Sequence, residues 1–503
     1  MTADLAPPSS PVSPLTAGVA LRSNALGAAG IAFLVISAAG PLGYLGGFTP
    51  LMIGVGGAGA PAAFVGSGLV LLLFLAGFTA MTPAVRSQGA FYAYISTGLG
   101  RAAGAASAVV ALVAYNIALI GALGLISVYV AQDVQMLTGM DVPWPVAAVA
   151  VGLLIFLLAA AGIGVGAKVL AVLLTAELAL VALLAGAVIV RGGAEGLSLA
   201  SFAPSAVFAP GMGAVLALAF VGFLGIEAIA LYRAEARDPD RTIPRAGVAT
   251  VVIIAVFYAL VTWVVIQGFG TEGIAAAVSE HGADLFFVLA DVYLGPWAST
   301  LMQILILTSL LAAQLAFHNG ANRYAHSLSL DRVLHRSIAA TSSRTGAPWM
   351  AGLLQTAVSV IAIVVAALLG LDPYLDVALW LTSMAAVFMI VLQVVTSIAV
   401  VVHFRRTTSA RMRRIVAPTL AAVLLVAVLA VLVTQFDLLT GAGPGVNAVL
   451  LAILGGVIGL SAAWAALTWI RRPAKLALVG VRPADDPLAA TVPTSTSKEE
   501  NHR

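Results

Sequence analysis

Twelve apolar runs divide the chain, separated by short polar segments rich in Arg, Gly and Pro. They fall near 28–55, 61–82, 102–131, 143–165, 167–190, 212–232, 247–268, 296–320, 348–370, 374–403, 415–435 and 446–470. Their lengths suit the roughly 18 to 25 residues needed to cross about 30 Å of hydrocarbon. All are expected to be helices, because backbone polar groups in hydrocarbon must be satisfied within their own segment. The alternating pattern of an outer-membrane barrel is absent.

Composition strengthens this reading. Of 503 residues 61% are hydrophobic and 9% charged, with a mean hydropathy of +1.08, against roughly 25% charged in an average soluble domain. Cysteine is absent, which removes disulfides and thiolate metal sites. Residues 1–27 are rich in Pro and Ser, and the run that follows is too long for a secretory leader and lacks a cleavage signal, so a short cytoplasmic tail is expected. Residues 473–503 read as a disordered cytoplasmic tail.

The distribution of charge sets orientation. With twelve spans and the N-terminus inside, the tails and the segments near 83–101, 166, 233–246, 321–347 and 404–414 carry every one of the 24 Lys and Arg residues except Arg191. The opposite side carries Glu272, Glu280, Asp284 and Asp291. A wrong span count would invert every later loop, so this bias supports a multi-pass protein of the cell membrane with both termini cytoplasmic.

Two spans are interrupted. In the first, Gly40-Pro41-Leu42-Gly43 sets a helix-breaking proline between glycines; in the sixth, Gly222, Gly225 and Glu227 lie in mid-membrane. These are corresponding places if spans one to five and six to ten are inverted repeats, and paired interruptions of that kind point to a transporter binding site. Ordinary packing through small residues is the alternative.

Three further stretches resemble the amino acid, polyamine and organocation (APC) permease superfamily. Gly89-Ala90-Phe91-Tyr92-Ala93-Tyr94-Ile95 is similar to the Gly-Gly-x-Tyr-x-Tyr segment between spans two and three. Gly225-Ile226-Glu227, then Glu235 through Asp238-Pro239-Asp240-Arg241-Thr242-Ile243-Pro244-Arg245-Ala246, resembles the family's Gly-Phe-Glu and Glu-x-Lys-Asn-Pro-x-Arg-x-Ile-Pro-x-Ala loop. Asn322-Arg323-Tyr324 through Asp331-Arg332-Val333-Leu334 is similar to the stretch after span eight. The resemblance implies an all-α membrane protein of twelve transmembrane helices: a five-plus-five inverted repeat with discontinuous helices one and six over 28–404, and two additional helices over 405–472. It also implies alternating access and a substrate site between the breaks, formed by Ala39, Gly40, Pro41, Gly43, Tyr44, Phe223, Gly225 and Glu227. One departure stands out: Ala39-Gly40-Pro41-Leu42-Gly43 replaces the family's usual Gly-Ser-Gly or Gly-x-Gly-Ile-Phe.

Glu177 and Glu227 are the acidic residues well inside spans, where charge costs roughly 2.5 to 3.5 kcal/mol on insertion scales. Glu227 coincides with the family's span-six glutamate, for gating, proton binding or substrate contact. Glu177 lies nine residues after Lys168, where some relatives carry a lysine near the ion position, and is a candidate protonatable group. For both, the plainer alternative is a neutral carboxyl bonded to a neighbouring helix. Thr308 and Ser309 sit where sodium-coupled relatives place hydroxyl ligands, although such hydroxyls also bond to their own helix. Lys168, Arg237, Arg241, Arg323 and Asp331 are expected to set topology and form cytoplasmic ion pairs.

No nucleophile, base and orienter come together as an enzyme requires, no pore motif repeats, and His318 and His326 lack a third metal ligand. The expected activity is secondary transport of an amino acid, coupled to protons and without a cofactor. A polyamine or other organic amine, or exchange of one amino acid for another, remains the alternative.

Overall fold

A computed structural model of the chain describes residues 26–480, apart from 86, 88, 162, 234–235, 343–344 and 406–410 and the side chains of 163–171. The Lys168 side chain, Glu235 and most of both expected tails therefore lie outside what is described. Helices account for the regular structure described, with one bridge between Leu26 and Ala236.

The first expected span is two helices, α1 (Ala28–Ala39) and α2 (Pro41–Gly56). Between them Gly40 adopts φ 53°, ψ 63°, a left-handed conformation that closes α1 and redirects the chain. Pro41 follows as the first residue of α2, where its missing N–H costs nothing. Then come α3 (Ala60–Met81), the short α4 (Ala90–Leu99), the 38-residue α5 (Arg101–Thr138), α6 (Trp144–Ala161) and α7 (Ile163–Arg191).

The second half repeats this order. The sixth span is α8 (Met212–Val221), a turn over 222–225, and α9 (Ile226–Tyr232), a 3₁₀ helix, with Gly225 at φ 94° as the hinge. After α10 (Pro239–Phe269) come two short helices, α11 (Ile274–His281) and α12 (Leu285–Leu294), then the 35-residue α13 (Pro296–Leu330), α14 (Trp349–Leu368) and α15 (Leu379–Phe404). The joints match in detail: Gly100 between α4 and α5, and Gly295 between α12 and α13, share φ 96°. Two further helices complete the fold, α16 (Ala417–Thr434) and α17 (Pro444–Arg471).

Among the described residues eleven helical runs are long and apolar enough to cross a membrane. One of them, Pro41–Ala84, joins α2 to α3, and α1 is a shorter apolar helix. Counting α1 with α2 as one crossing and α3 as another returns the expected twelve. The outward stripes carry large exposed apolar side chains, such as Leu157 and Leu460, as a lipid-facing surface requires.

The family-like segments hold the Arg-rich face together. Tyr92 of the first donates to Asp331 of the third at 3.0 Å. In the second, Asp238 accepts the amides of Arg241 and Thr242, and Arg237 donates its backbone N–H to Leu26. Ion pairs join Arg233 to Asp240 and Arg241 to Asp238, while Arg323 lies over the Tyr232 ring. Residues 473–480, expected within the disordered tail, are instead placed against the helices. Pro473–Leu476 form a 3₁₀ turn, and Leu476 and Val479 are buried.

Candidate functional site

The first break carries an acid. The Glu177 carboxylate on α7 accepts the amide N–H of Leu42, in the first turn of α2. Ser309 on α13 donates its hydroxyl to the same oxygen at 3.1 Å, and the Gly43 amide donates to that hydroxyl at 3.4 Å. Glu177 is 2% exposed. A buried carboxylate requires such donors, and the positive end of a helix dipole favours a negative group there. Because Pro41 has no N–H, Leu42 and Gly43 supply the first amides of α2, and this arrangement engages both. Thr308, by contrast, bonds to the Leu305 carbonyl of its own helix.

Tyr44 ties the two breaks together. Its hydroxyl donates to the Leu218 carbonyl of α8 at 2.8 Å. Its ring stacks on Tyr258 of α10 at 5.1 Å, and the Phe223 ring lies tilted 6.5 Å from Tyr258. The Tyr258 hydroxyl lies 3.5 Å from the carbonyl of Ala39, the last residue of α1. A side chain at Gly222 would collide with both tyrosine rings, so the glycine is what lets α8 end against them.

At the second break Glu227, 1% exposed, accepts a hydrogen bond from the Tyr115 hydroxyl of α5 at 2.8 Å. The Tyr115 ring packs against Phe317 and Tyr324 of α13. Two small cavities, each enclosing about 10 Å³, adjoin these groups. One is lined by Ser37, Pro41, Glu177, Thr308 and Ser309, the other by Ala38, Tyr115, Gly225, Phe317 and Gly320.

The eight residues expected at the substrate site thus gather around the two breaks, while the two acids work separately. Glu177 caps α2 and Glu227 bonds to Tyr115. Sequence reasoning missed Tyr115 and Tyr258, tyrosines in largely apolar helices whose hydroxyls must find partners when buried. Replacing Tyr115 with Phe should cost about 1–3 kcal/mol, the penalty of stripping a buried group of its partner. A lowered melting temperature in detergent reads this loss, and an unchanged melt would mean that Glu227 does not depend on Tyr115.

Comparison with known proteins agrees with the fold. Crystal structures of two mutants of a manganese transporter from Eremococcus coleocola superpose with a TM-score of 0.53 at 13% identity, covering 88% of this chain and 95% of the other. Uncharacterized transporters of Mycobacterium bovis and Mycobacterium tuberculosis are 32% identical over 148 residues. That stretch spans 29% of this chain and 32% of each relative. Residues 26–469 match the family described as Amino acid permease, which takes in both breaks and all three motif segments. The chain therefore belongs to the amino acid permease family of the APC superfamily.

Proposed function

We propose that the chain is a secondary active transporter that carries amino acids across the cell membrane by alternating access, coupled to protons, with its Arg-rich face cytoplasmic. The observation that carries this reading is the Glu177 carboxylate on the Leu42 amide. An amino acid bound at the first break would present its own carboxylate to that helix N-terminus. The two anions compete. A proton on Glu177 removes its charge and releases the amide, so proton and substrate favour each other's binding, and linkage makes the effect reciprocal. Substrate ammonium is served from the opposite side, by the carbonyl end of α1 and by the negative charge of Glu227.

Polyamines lack the carboxylate this site is built to receive, and they form the second reading because Pro41 removes one amide from the break. Among the described residues no three His, Cys, Asp or Glu side chains cluster as a metal cage would. Thr308 turned to its own helix favours protons over sodium.

Uptake of radiolabelled amino acids into proteoliposomes, with and without an inward proton gradient, tests the function. A neutral or cationic amino acid should accumulate with the gradient and be displaced by related amino acids. A panel in which neither amino acids nor polyamines compete would reject both versions. Accumulation driven by sodium at equal pH would reject the coupling.

A further inference from the structure

Where α17 ends, the chain turns back and covers the Arg-rich face. Lys475 lies over the Trp464 ring, Leu476 is 1% exposed and Val479 fully buried. The amide N–H of Gly480 then donates to the Asp331 carboxylate at 2.9 Å. Asp331 follows the last residue of α13, and the same oxygen accepts the Tyr92 hydroxyl of α4. Gly480 sits so close to α4 that a Cβ would fall 2.8 Å from the Ser96 side chain and 3.1 Å from Ala93.

We propose that residues 473–480 are a strap that holds this face of the transporter closed, by pinning α4 to the end of α13 through Asp331. Beneath the strap lies a stack that leads to the second break. The Tyr92 ring meets Tyr324 edge-on at 5.5 Å, Tyr324 packs on Tyr115 at 5.5 Å, and Tyr115 bonds to Glu227. The cavity lined by Tyr115, Gly225, Ala228, Phe317 and Gly320 lies behind this stack. A substrate leaving through the Arg-rich face must part the tyrosines, and α4 and α13 cannot separate while both hold Asp331 and the strap. Strap and stack therefore release together. The strap is a peptide segment without a covalent tie of its own to either helix, so its occupancy sets how often the face opens.

The absence of cysteine in the whole chain makes the test direct. Gly320 lines the cavity and has room for a side chain, its nearest neighbour lying 3.9 Å from a Cβ. A Gly320→Cys chain reconstituted in lipid is labelled with a maleimide, and the rate is compared in three backgrounds. Deletion of 473–503 removes the strap, deletion of 481–503 spares it, and Gly480→Val drives its end away from Ser96 while keeping the chain whole. Loss of one such contact should raise labelling on the order of fivefold. The expected result is that increase in the first and third backgrounds, and the parent rate in the second. Equal rates with and without the strap would overturn the proposal, as would an equal increase on deleting 481–503 alone. Gly480→Val keeps the test decisive should the longer deletion fail to fold. Labelling needs no substrate, so its outcome is independent of which amine is carried.

Discussion

Glu177→Gln should abolish proton-driven accumulation while leaving exchange of substrate across the membrane. Glutamine keeps the shape of the side chain but carries no charge and does not titrate, so it holds the Leu42 amide no more strongly than the protonated acid does. In the native chain, raising the pH keeps Glu177 ionised on that amide, where it opposes a substrate carboxylate. Apparent substrate affinity should therefore weaken with rising pH, by up to about tenfold per unit for a single coupled proton. In Glu177→Gln the profile should be flat, with affinity at high pH above that of the native chain. Gradient-driven uptake should fall at least about tenfold, since each 1.4 kcal/mol of lost coupling is a factor of ten. Glu227→Gln should weaken the substrate ammonium site and retain the pH profile if Glu177 alone couples. If both variants keep native accumulation and an unchanged pH profile, neither carboxyl is the coupling group and the mechanism is wrong.

Gly40→Val should disable transport through the backbone. Gly40 joins the two halves of the first span at φ 53°, a conformation that costs an L-residue roughly 1–2 kcal/mol and a β-branched one more. A Cβ there would also stand 2.9 Å from the Ala313 side chain on α13, against ordinary contacts near 4 Å. Relief requires α1 to move off α13 or the break to straighten, and either displaces Leu42 from Glu177. Uptake should drop to background and the melting temperature should fall. Gly30→Ala, in α1, where a Cβ meets only an ordinary 3.6 Å contact with the Leu26 side chain, is the control and should retain transport. Native uptake by Gly40→Val would mean that the break is not needed in its observed form.

The spans and the two interruptions were legible because each rests on local rules. Hydrocarbon thickness dictates run length, and proline between glycines cannot continue a helix. The family-like segments were equally legible, since their residue order lies within single loops. The tail was read as disordered from its composition, yet residues 473–480 are ordered by Asp331 and by the apolar contacts of Leu476 and Val479, which a local reading does not see.

What the sequence by itself determined is the set of helices, their breaks, and the presence of two acids at a depth where charge is costly. Only the tertiary structure decided which groups each acid bonds. Leu42 and Glu177 are 135 positions apart, and Tyr115 and Glu227 are 112 apart. A burial cost is a property of one residue and its depth, whereas the partner that offsets it is chosen by the packing of α7, α2 and α13 in one case and α9 and α5 in the other. That packing depends on which small residues let helices approach, a pairwise condition that no single run of residues records.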